Sequence, residues 1–171
     1  MKTKTYKLAV ALLLLSVMPI MFGGCGGKTG TPLQDTAPPP ELTASITSAE
    51  GWTEDEFYLN FYHSADGKAA IRLGSVILPS GIKTEKAYAE YLQKADEILF
   101  ENARSGPISP TVIGGLDAVQ YEMTTAEGTH FLQFFILKNA RIYSITCYAL
   151  EADFNGFAKD FQRMVDSYTL K

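Results

Sequence analysis

The stretch that decides the fold is Phe131-Leu132-Gln133-Phe134-Phe135-Ile136-Leu137. It lies within a predicted strand, residues 129–138. Side chains of a β-strand alternate between two faces, and here both faces are apolar. Such a strand belongs in the centre of a sheet that is covered on both sides. Residues 116–125 and 141–150 also have strand character, and short turns join them to this strand. We therefore predict three consecutive antiparallel strands.

A hairpin and a helix are predicted upstream of these strands. Residues 57–63 and 69–78 are expected to pair around an Asp66-Gly67 turn, because Asp-Gly accommodates the positive φ angles of a tight hairpin. Residues 84–101 then have apolar side chains at helical spacing, with Thr84 as candidate N-cap. The apolar stripe of this helix comprises Tyr88, Tyr91, Leu92, Ala95, Ile98 and Leu99.

A second amphipathic helix, residues 153–168 with Asp153 as candidate cap, closes the chain. Residues 42–47 predict a short strand, and residues 105–110 predict a loop. Trp52 is expected in a loop, where it seals an edge of the core. The predicted fold class is α+β: an antiparallel β-sheet flanked by helices on both faces.

The N-terminal residues have the pattern of an export signal. Three lysines precede an apolar run at residues 8–22, which as a helix spans about 22 Å, less than the ~30 Å bilayer core. Gly24-Cys25 follows and resembles the end of a bacterial lipobox, in which a peptidase cuts before a lipidated cysteine. We predict cleavage between Gly24 and Cys25 and lipid attachment at Cys25. The alternative is an ordinary secreted protein with a free cysteine.

The chain is thus predicted to have three parts: a signal peptide (1–24), a lipidated cysteine with a flexible tether (25–44) and one domain (45–171). The tether is rich in Pro, Gly and Thr, and it has too little apolar surface to offset the entropy lost on ordering. The expected location is the extracytoplasmic face of the cell membrane, with the lipid as membrane contact. The outer membrane is possible if the source has two membranes.

Charge and cysteine content exclude several classes of partner. The formal charge is −4, and removal of three signal-peptide lysines lowers it to about −7. An acidic domain of this kind predicts no nucleic-acid binding and no surface for anionic headgroups. Once Cys25 is lipidated only Cys147 remains, so no intramolecular disulfide forms. Cys147 is interpreted as a small buried hydrophobe, with a reactive thiol as the alternative.

Motifs in the C-terminal half resemble PsbP-like domains. Residues 115–121 look like the G-x-x-A-x-x-Y strand of that family, and residues 138–146 are similar to its charged turn and Tyr-Ser-Ile-Thr strand. The closing helix, with Ser167 and Tyr168 at its end, resembles the family's closing helix. The resemblance covers residues 44–171. It implies an antiparallel sheet with helices on both faces, in extrinsic, often lipid-anchored and mostly non-enzymatic proteins that bind partners. No residues match the metal-binding positions of the photosynthetic members.

No catalytic residue and no cofactor site is predicted. If the two hairpins were neighbours, His63, Asp66, Glu127 and His130 would meet at one sheet end and could hold a metal. A triad of His63, Ser64 and Asp66 is disfavoured, because residues this close in sequence do not reach triad geometry unaided. The tyrosines could form a sugar- or peptide-binding face, although such rings more often lie at the rim of a core.

These observations favour a non-enzymatic lipoprotein whose domain binds a protein partner at the cell envelope. The alternative is an envelope sensor that binds a small molecule or a metal. The second alternative is an enzyme of unknown class.

Overall fold

The structure is a computed structural model and describes residues 41–171. The predicted signal peptide, Cys25 and all but the last four residues of the predicted tether lie outside the described residues. Two helices occur in the described part, α1 (Glu85–Leu99) and α2 (Glu151–Asp166). The strands are β1 (Ala44–Ser45), β2 (Trp52–Glu54), β3 (Phe61–Ser64), β4 (Ala69–Ile77), β5 (Arg104–Ser105), β6 (Ser109–Ile113), β7 (Leu116–Thr124), β8 (Thr129–Lys138), β9 (Arg141–Leu150) and β10 (Thr169–Leu170).

One antiparallel sheet forms the body of the domain. Its strand order is β2-β3-β4-β9-β8-β7-β5, and β6 also pairs with the outer side of β7. The predicted strand that is apolar on both faces is β8, which pairs with β9 along its whole length and with β7 on its other side. Its central position and the three consecutive antiparallel strands are therefore confirmed. β1 and β10 form a separate two-stranded pair.

The two helices cover opposite faces of this sheet. Phe135 of β8 contacts Tyr88 of α1, with ring centroids 5.6 Å apart. His130 of the same strand contacts Phe154 of α2, with centroids 4.0 Å apart. Odd- and even-numbered residues of a strand point to opposite faces, so α1 and α2 lie on opposite sides. The predicted α+β arrangement is confirmed, and we name the sides the α1 face and the α2 face.

Trp52 closes one margin of the core on the α2 face. It is the first residue of β2 rather than a loop residue, and its ring packs edge-on against Phe157 and Phe161 of α2. The indole N–H donates to Asp160 Oδ2 at 3.2 Å, which satisfies the one polar group of the ring. The predicted role at the core edge is confirmed, although the predicted loop is wrong.

Helix α1 begins as predicted but turns a partly different side to the sheet. Thr84 Oγ1 accepts a hydrogen bond from the Ala87 N–H at 3.1 Å, which confirms the N-cap. The buried helical residues are Ala89 and Asp96, whereas Ile98 of the predicted stripe is 85% exposed. The predicted apolar stripe is therefore only partly correct as the buried face of α1. Tyr88 packs on Phe135, and Leu92 and Ala95 are partly buried. The rest of the stripe is exposed: Tyr91, Ile98 and Leu99.

Three further predictions are wrong because hydrogen bonds override residue patterns. Residues 57–60 form a turn rather than the start of β3, since the Asp55 carboxylate caps two backbone N–H groups there. Asp153 does not cap α2. The helix starts two residues earlier, where the Glu151 N–H donates to the Gly128 carbonyl at 2.8 Å. The predicted loop at residues 105–110 contains parts of β5 and β6.

Adjacent glycines between β6 and β7 provide a test of this packing. Both have positive φ, +56° at Gly114 and +79° at Gly115. A Cβ at Gly114 would lie 2.5 Å from the Tyr168 carbonyl oxygen, whereas a Cβ at Gly115 meets no atom within 4 Å. Gly115→Ala should cost only backbone strain, about 1–2 kcal/mol. Gly114→Ala should lower the free energy of unfolding at least about twice as much, because the backbone after α2 must also move. Urea denaturation measures both, and equal losses would contradict this packing.

Candidate functional site

The four residues considered for a metal site do not converge. His63 lies on β3 and His130 on β8, and β4 and β9 separate the two strands. Three strand spacings correspond to about 14 Å, far beyond metal–ligand distances of about 2 Å. The two imidazoles also lie on opposite faces, because His63 shares a cross-strand row with Ala70 and Tyr148 on the α1 face. Within residues 41–171 no group of three or more His, Cys, Asp or Glu side chains is placed to hold a metal ion.

Ser64 and Asp66 form a turn rather than the nucleophile and acid of a triad. The Ser64 hydroxyl donates to Asp66 Oδ1 at 2.7 Å and accepts from the Ala69 N–H at 3.1 Å. The bond from Ser64 lowers the pKa of the Asp66 carboxyl below its usual value. His63 does not join this cluster through Ser64 Oγ, since its Nδ1 lies 3.2 Å from the Ser64 carbonyl oxygen. These bonds close the β3–β4 hairpin.

His130 belongs to a different cluster. Its Nδ1 lies 3.2 Å from Thr124 Oγ1, and its Nε2 lies 3.4 Å from Glu122 Oε2. Hydroxyl, imidazole and carboxylate thus follow the order used in hydrolases. However, Thr124 is buried and the ring of Phe154 covers the imidazole at 4.0 Å. We interpret the cluster as a clamp that holds the start of α2 on the β7–β8 hairpin.

A row of polar side chains crosses the α1 face. Arg72, Thr146, Gln133 and Tyr121 are cross-strand neighbours on β4, β9, β8 and β7. The row ends beneath α1 at Asp96, which is only 3% exposed. Asp96 Oδ2 accepts from the Tyr121 hydroxyl at 3.1 Å and from Gln133 Nε2 at 3.3 Å. Gln133 Nε2 also donates to the Tyr121 hydroxyl oxygen at 2.9 Å, so the three groups bond one another.

This cluster places a carboxyl group in a poorly solvated position. Burial raises the pKa of Asp96 to about 6, because the ionised form loses its hydration. The hydrogen bonds from Gln133 and Tyr121 oppose that rise, and the negative charge of Glu97 adds to it. Burial also raises the pKa of Tyr88 to about 12, with Tyr91 and Asp96 as smaller causes. Near neutral pH the cluster therefore holds an ionised group at an energetic cost, which makes it a pH-sensitive contact between α1 and the sheet.

The sequence contained signals for this cluster. Gln133 is the polar residue in an otherwise apolar central stretch, and such a residue requires a buried partner. Asp96 follows Leu92 and precedes Phe100 at four-residue spacing, so all three share one helix face. The pairing itself joins residues 37 positions apart, and neither periodicity nor spacing specifies it.

A short loop carries the two most exposed of the large hydrophobic side chains in the described residues. Phe57 is 86% exposed and Leu59 is 89% exposed. We name residues 55–60 the apolar tip. The Asp55 carboxylate accepts from the N–H groups of Phe57 and Tyr58 at 2.8 and 3.1 Å, and the Asn60 carbonyl accepts from the Leu73 N–H at 2.9 Å. The tip therefore has a fixed backbone.

Cys147 does not offer a reactive thiol. It lies in the core of the α2 face, and burial raises its pKa well above the usual value. Neither described helix has the length and hydrophobicity that a bilayer-spanning helix needs.

No protein-family model and no curated protein matches the chain. Several solved structures do. PA94 from Pseudomonas aeruginosa, a protein of unknown function, aligns over 75% of this chain and 83% of its own, with a TM-score of 0.54 and 13% identity. LpqN from Mycobacterium tuberculosis, described as involved in cell envelope biogenesis, aligns over 82% and 90% with a TM-score of 0.54 and 16% identity. At these identities the matches show a shared fold and nothing about activity.

Cyanobacterial PsbP (CyanoP) from Synechocystis also matches. It covers 88% of this chain and 99% of its own, with a TM-score of 0.49 and 9% identity. At this TM-score the likeness carries no argument, and the PsbP-like resemblance continues to rest on the sequence motifs.

Replacing the buried carboxyl tests its predicted titration. Because the pKa of Asp96 is higher in the folded state, the folded protein is most stable when this carboxyl is protonated. This stability is fully present below about pH 4 and is lost as the pH rises through about 6. The difference between 3.8 and about 6 corresponds to roughly 3 kcal/mol. Asp96→Asn retains the acceptor oxygen, so it should be more stable than wild type at pH 7.5 by about 1–3 kcal/mol. At pH 3.5 the two proteins should be equal.

Urea denaturation at both pH values measures this difference. Glu90→Gln is the matched control, since Glu90 is exposed on the same helix and is not among the causes of the raised pKa of Asp96. A stability difference for Asp96→Asn that does not change with pH would contradict the shifted pKa.

Proposed function

We propose that the protein is a lipid-anchored, extracytoplasmic and non-enzymatic module that binds a protein partner at the cell envelope. The observation that carries the proposal is the apolar tip, which presents Phe57 and Leu59 almost fully to solvent. Gly24-Cys25 supports the lipid anchor. The fold shared with LpqN, which is described as involved in cell envelope biogenesis, supports the envelope as the place of action.

The apolar tip has the properties of a binding hot spot. Large apolar side chains have an unfavourable solvation free energy while they are exposed in the free protein. Their burial in a partner pocket therefore contributes most to the binding free energy. The capping bonds from Asp55 and the contact between Asn60 and Leu73 fix the loop before binding. A pre-organised loop loses little conformational entropy in the complex, which favours affinity.

The charges beside the tip indicate what kind of surface it meets. Glu54, Asp55 and Glu56 come directly before Phe57 and Leu59 in the chain. Three adjacent acids oppose insertion into an anionic membrane. A protein pocket with apolar walls and a basic rim complements the same group. A tethered domain also meets membrane partners at a high effective concentration, so modest intrinsic affinity suffices.

A small-molecule sensor is the second candidate function, and one surface favours it. Tyr91 and Leu99, on the exposed flank of α1, are about half exposed. The α1 face of the sheet also carries partly buried Arg72, Ser144 and Thr146. Apolar walls next to a few polar groups are typical of ligand sites. A rise in melting temperature with a small-molecule panel that Thr146→Val abolishes would favour this candidate over the first.

Labelling with palmitate tests the anchor. Wild-type protein should incorporate an alkyne-tagged palmitate in a bacterial host, and Cys25→Ser should lose the label because the acceptor sulfur is gone. Cys147→Ser is the matched control, since Cys147 is the other cysteine of the chain, and it should keep the label. Label that persists in Cys25→Ser would contradict the predicted anchor.

A double substitution tests the tip. Phe57→Ser with Leu59→Ser should reduce capture of envelope proteins by at least about tenfold, as expected when two hot-spot side chains are lost. The melting temperature should stay unchanged, because both side chains are exposed. Val112→Ser is the control, since Val112 is 64% exposed at another edge of the sheet. Quantitative proteomics of cross-linked envelopes measures capture, and equal losses in both variants would count against the tip.

A further inference from the structure

One edge of the main sheet is only partly paired. β4 is nine residues long and pairs with β9 throughout, from Ala69 to Ile77. On its other side, β3 pairs only with the three residues Ala70, Ile71 and Arg72. Within residues 41–171 no strand therefore lies beside residues 73–77, which we name the open edge.

The open edge presents backbone hydrogen-bonding groups in regular order. The Leu78 N–H points inward and donates to Ala140 O at 3.0 Å, whereas the Leu73 N–H points outward and donates to Asn60 O at 2.9 Å. Backbone groups of an antiparallel strand alternate in direction from residue to residue. The N–H and C=O groups of Ser75 and Ile77 therefore point away from the sheet, where a further strand would pair with them.

Other edges of this sheet have features that hinder the addition of a further strand, and the open edge lacks them. β2 has three residues and includes Glu54, and β5 has two residues and includes Arg104. β6 contains Pro110. Short length, charge and proline all hinder the addition of another strand. The open edge, Leu-Gly-Ser-Val-Ile, contains neither charge nor proline.

A groove runs beside the open edge. Its volume is about 330 Å³, within the range of known ligand sites. Residues 41–44 form one side and Asn60 lies in its lining, so the groove meets the apolar tip. Leu42 is partly exposed in its lining, whereas Leu73 and Tyr143 lie beneath it and are buried. An extended chain in this groove would place side chains against Leu42.

We propose that the open edge binds an extended segment of a partner protein as an additional β-strand. This inference rests on the proposed protein-binding function and names a second contact beside the tip. The segment is four to five residues long, about 13–17 Å, and has an apolar residue at every second position. Main-chain hydrogen bonds to Ser75 and Ile77 supply affinity, and side-chain contacts in the groove supply specificity.

A second copy of this chain fits the open edge less well. Ser75 Oγ hydrogen bonds to the Glu41 carboxylate on the same side of the sheet as the groove. A twofold pairing of two open edges centred on Ser75 would bring both Glu41 carboxylates to the axis, each with Arg141 Nη1 3.7 Å away, so that like groups lie opposite like groups. Like charges directly opposite one another destabilise paired strands. A neutral segment of another protein avoids this repulsion.

Peptide selection followed by backbone methylation tests the proposal. Random heptapeptides displayed on phage are panned against the full chain in detergent micelles, and enriched peptides are synthesised with single N-methyl groups. N-methylation removes one donor and leaves the side chains in place. Methylation at every second position, where the peptide N–H would bond to the open edge, should weaken binding at least about tenfold. Methylation at the positions between, where the N–H would point away, should change binding less than about threefold. Uniform effects, or no enriched peptide, would overturn the proposal.

Two protein variants locate the binding site. Ile77→Pro removes an outward N–H, and Ile77→Ala removes the same side chain but keeps the donor. The proline variant should lose peptide binding, and the alanine variant should retain most of it. In wild type the peptide should slow amide exchange at Ser75 and Ile77. Protection elsewhere, or protection that rises with protein concentration without peptide, would overturn the proposal, the latter in favour of a second copy.

The two proposals fail separately. A wild-type protein that takes up no palmitate label, or a tip variant that captures as much as wild type, would overturn the proposed function while peptide binding at the open edge persists. Uniform methylation effects would overturn strand addition while capture through the tip persists.

Discussion

The central constraint on this domain is that β8 has apolar side chains on both of its faces. A strand of this kind is stable only when other elements cover both of its faces. In a sheet, these elements must pack above and below the strand. Helix α1 contacts β8 through Phe135, and α2 contacts it through His130. The strands on either side, β7 and β9, satisfy the backbone groups of β8. The positions of both helices and the order of the central strands follow from this one requirement.

The cover on the two faces differs in chemistry. On the α2 face the core is built from apolar and aromatic residues, including Phe161, Met164 and Ile145. Under α1 the same strand places Gln133 against Asp96 and Tyr121. A buried polar network costs stability unless every member is bonded, but it also fixes one arrangement of helix on sheet. With α1 in this orientation, Tyr91, Ile98 and Leu99 remain exposed.

The sequence predicts well those elements whose determinants are local. The three strands around residues 131–137 end within one residue of the predicted bounds, because alternation and turn residues lie next to each other in the chain. The buried side of α1 was predicted only in part because Asp96 is buried by partners on β7 and β8, far away in sequence. The apolar tip was missed because Phe57 and Leu59 alternate like strand residues while Asp55 caps a turn. The open edge depends on where β3 stops, which periodicity alone does not determine.

The way residues 41–47 join the domain has a mechanical consequence. Thr43 and Lys171 exchange two backbone hydrogen bonds, and β1 adds a pairing of only two residues. If the chain is held at Cys25, as proposed, any force reaches the domain through this segment first. Side-chain hydrogen bonds from Leu42 to Tyr143 and from Thr47 to Ser167 add to these, and all of them can separate while the main sheet stays intact. Releasing seven residues lengthens the tether by about 23 Å, so the attachment can extend under force without unfolding the domain.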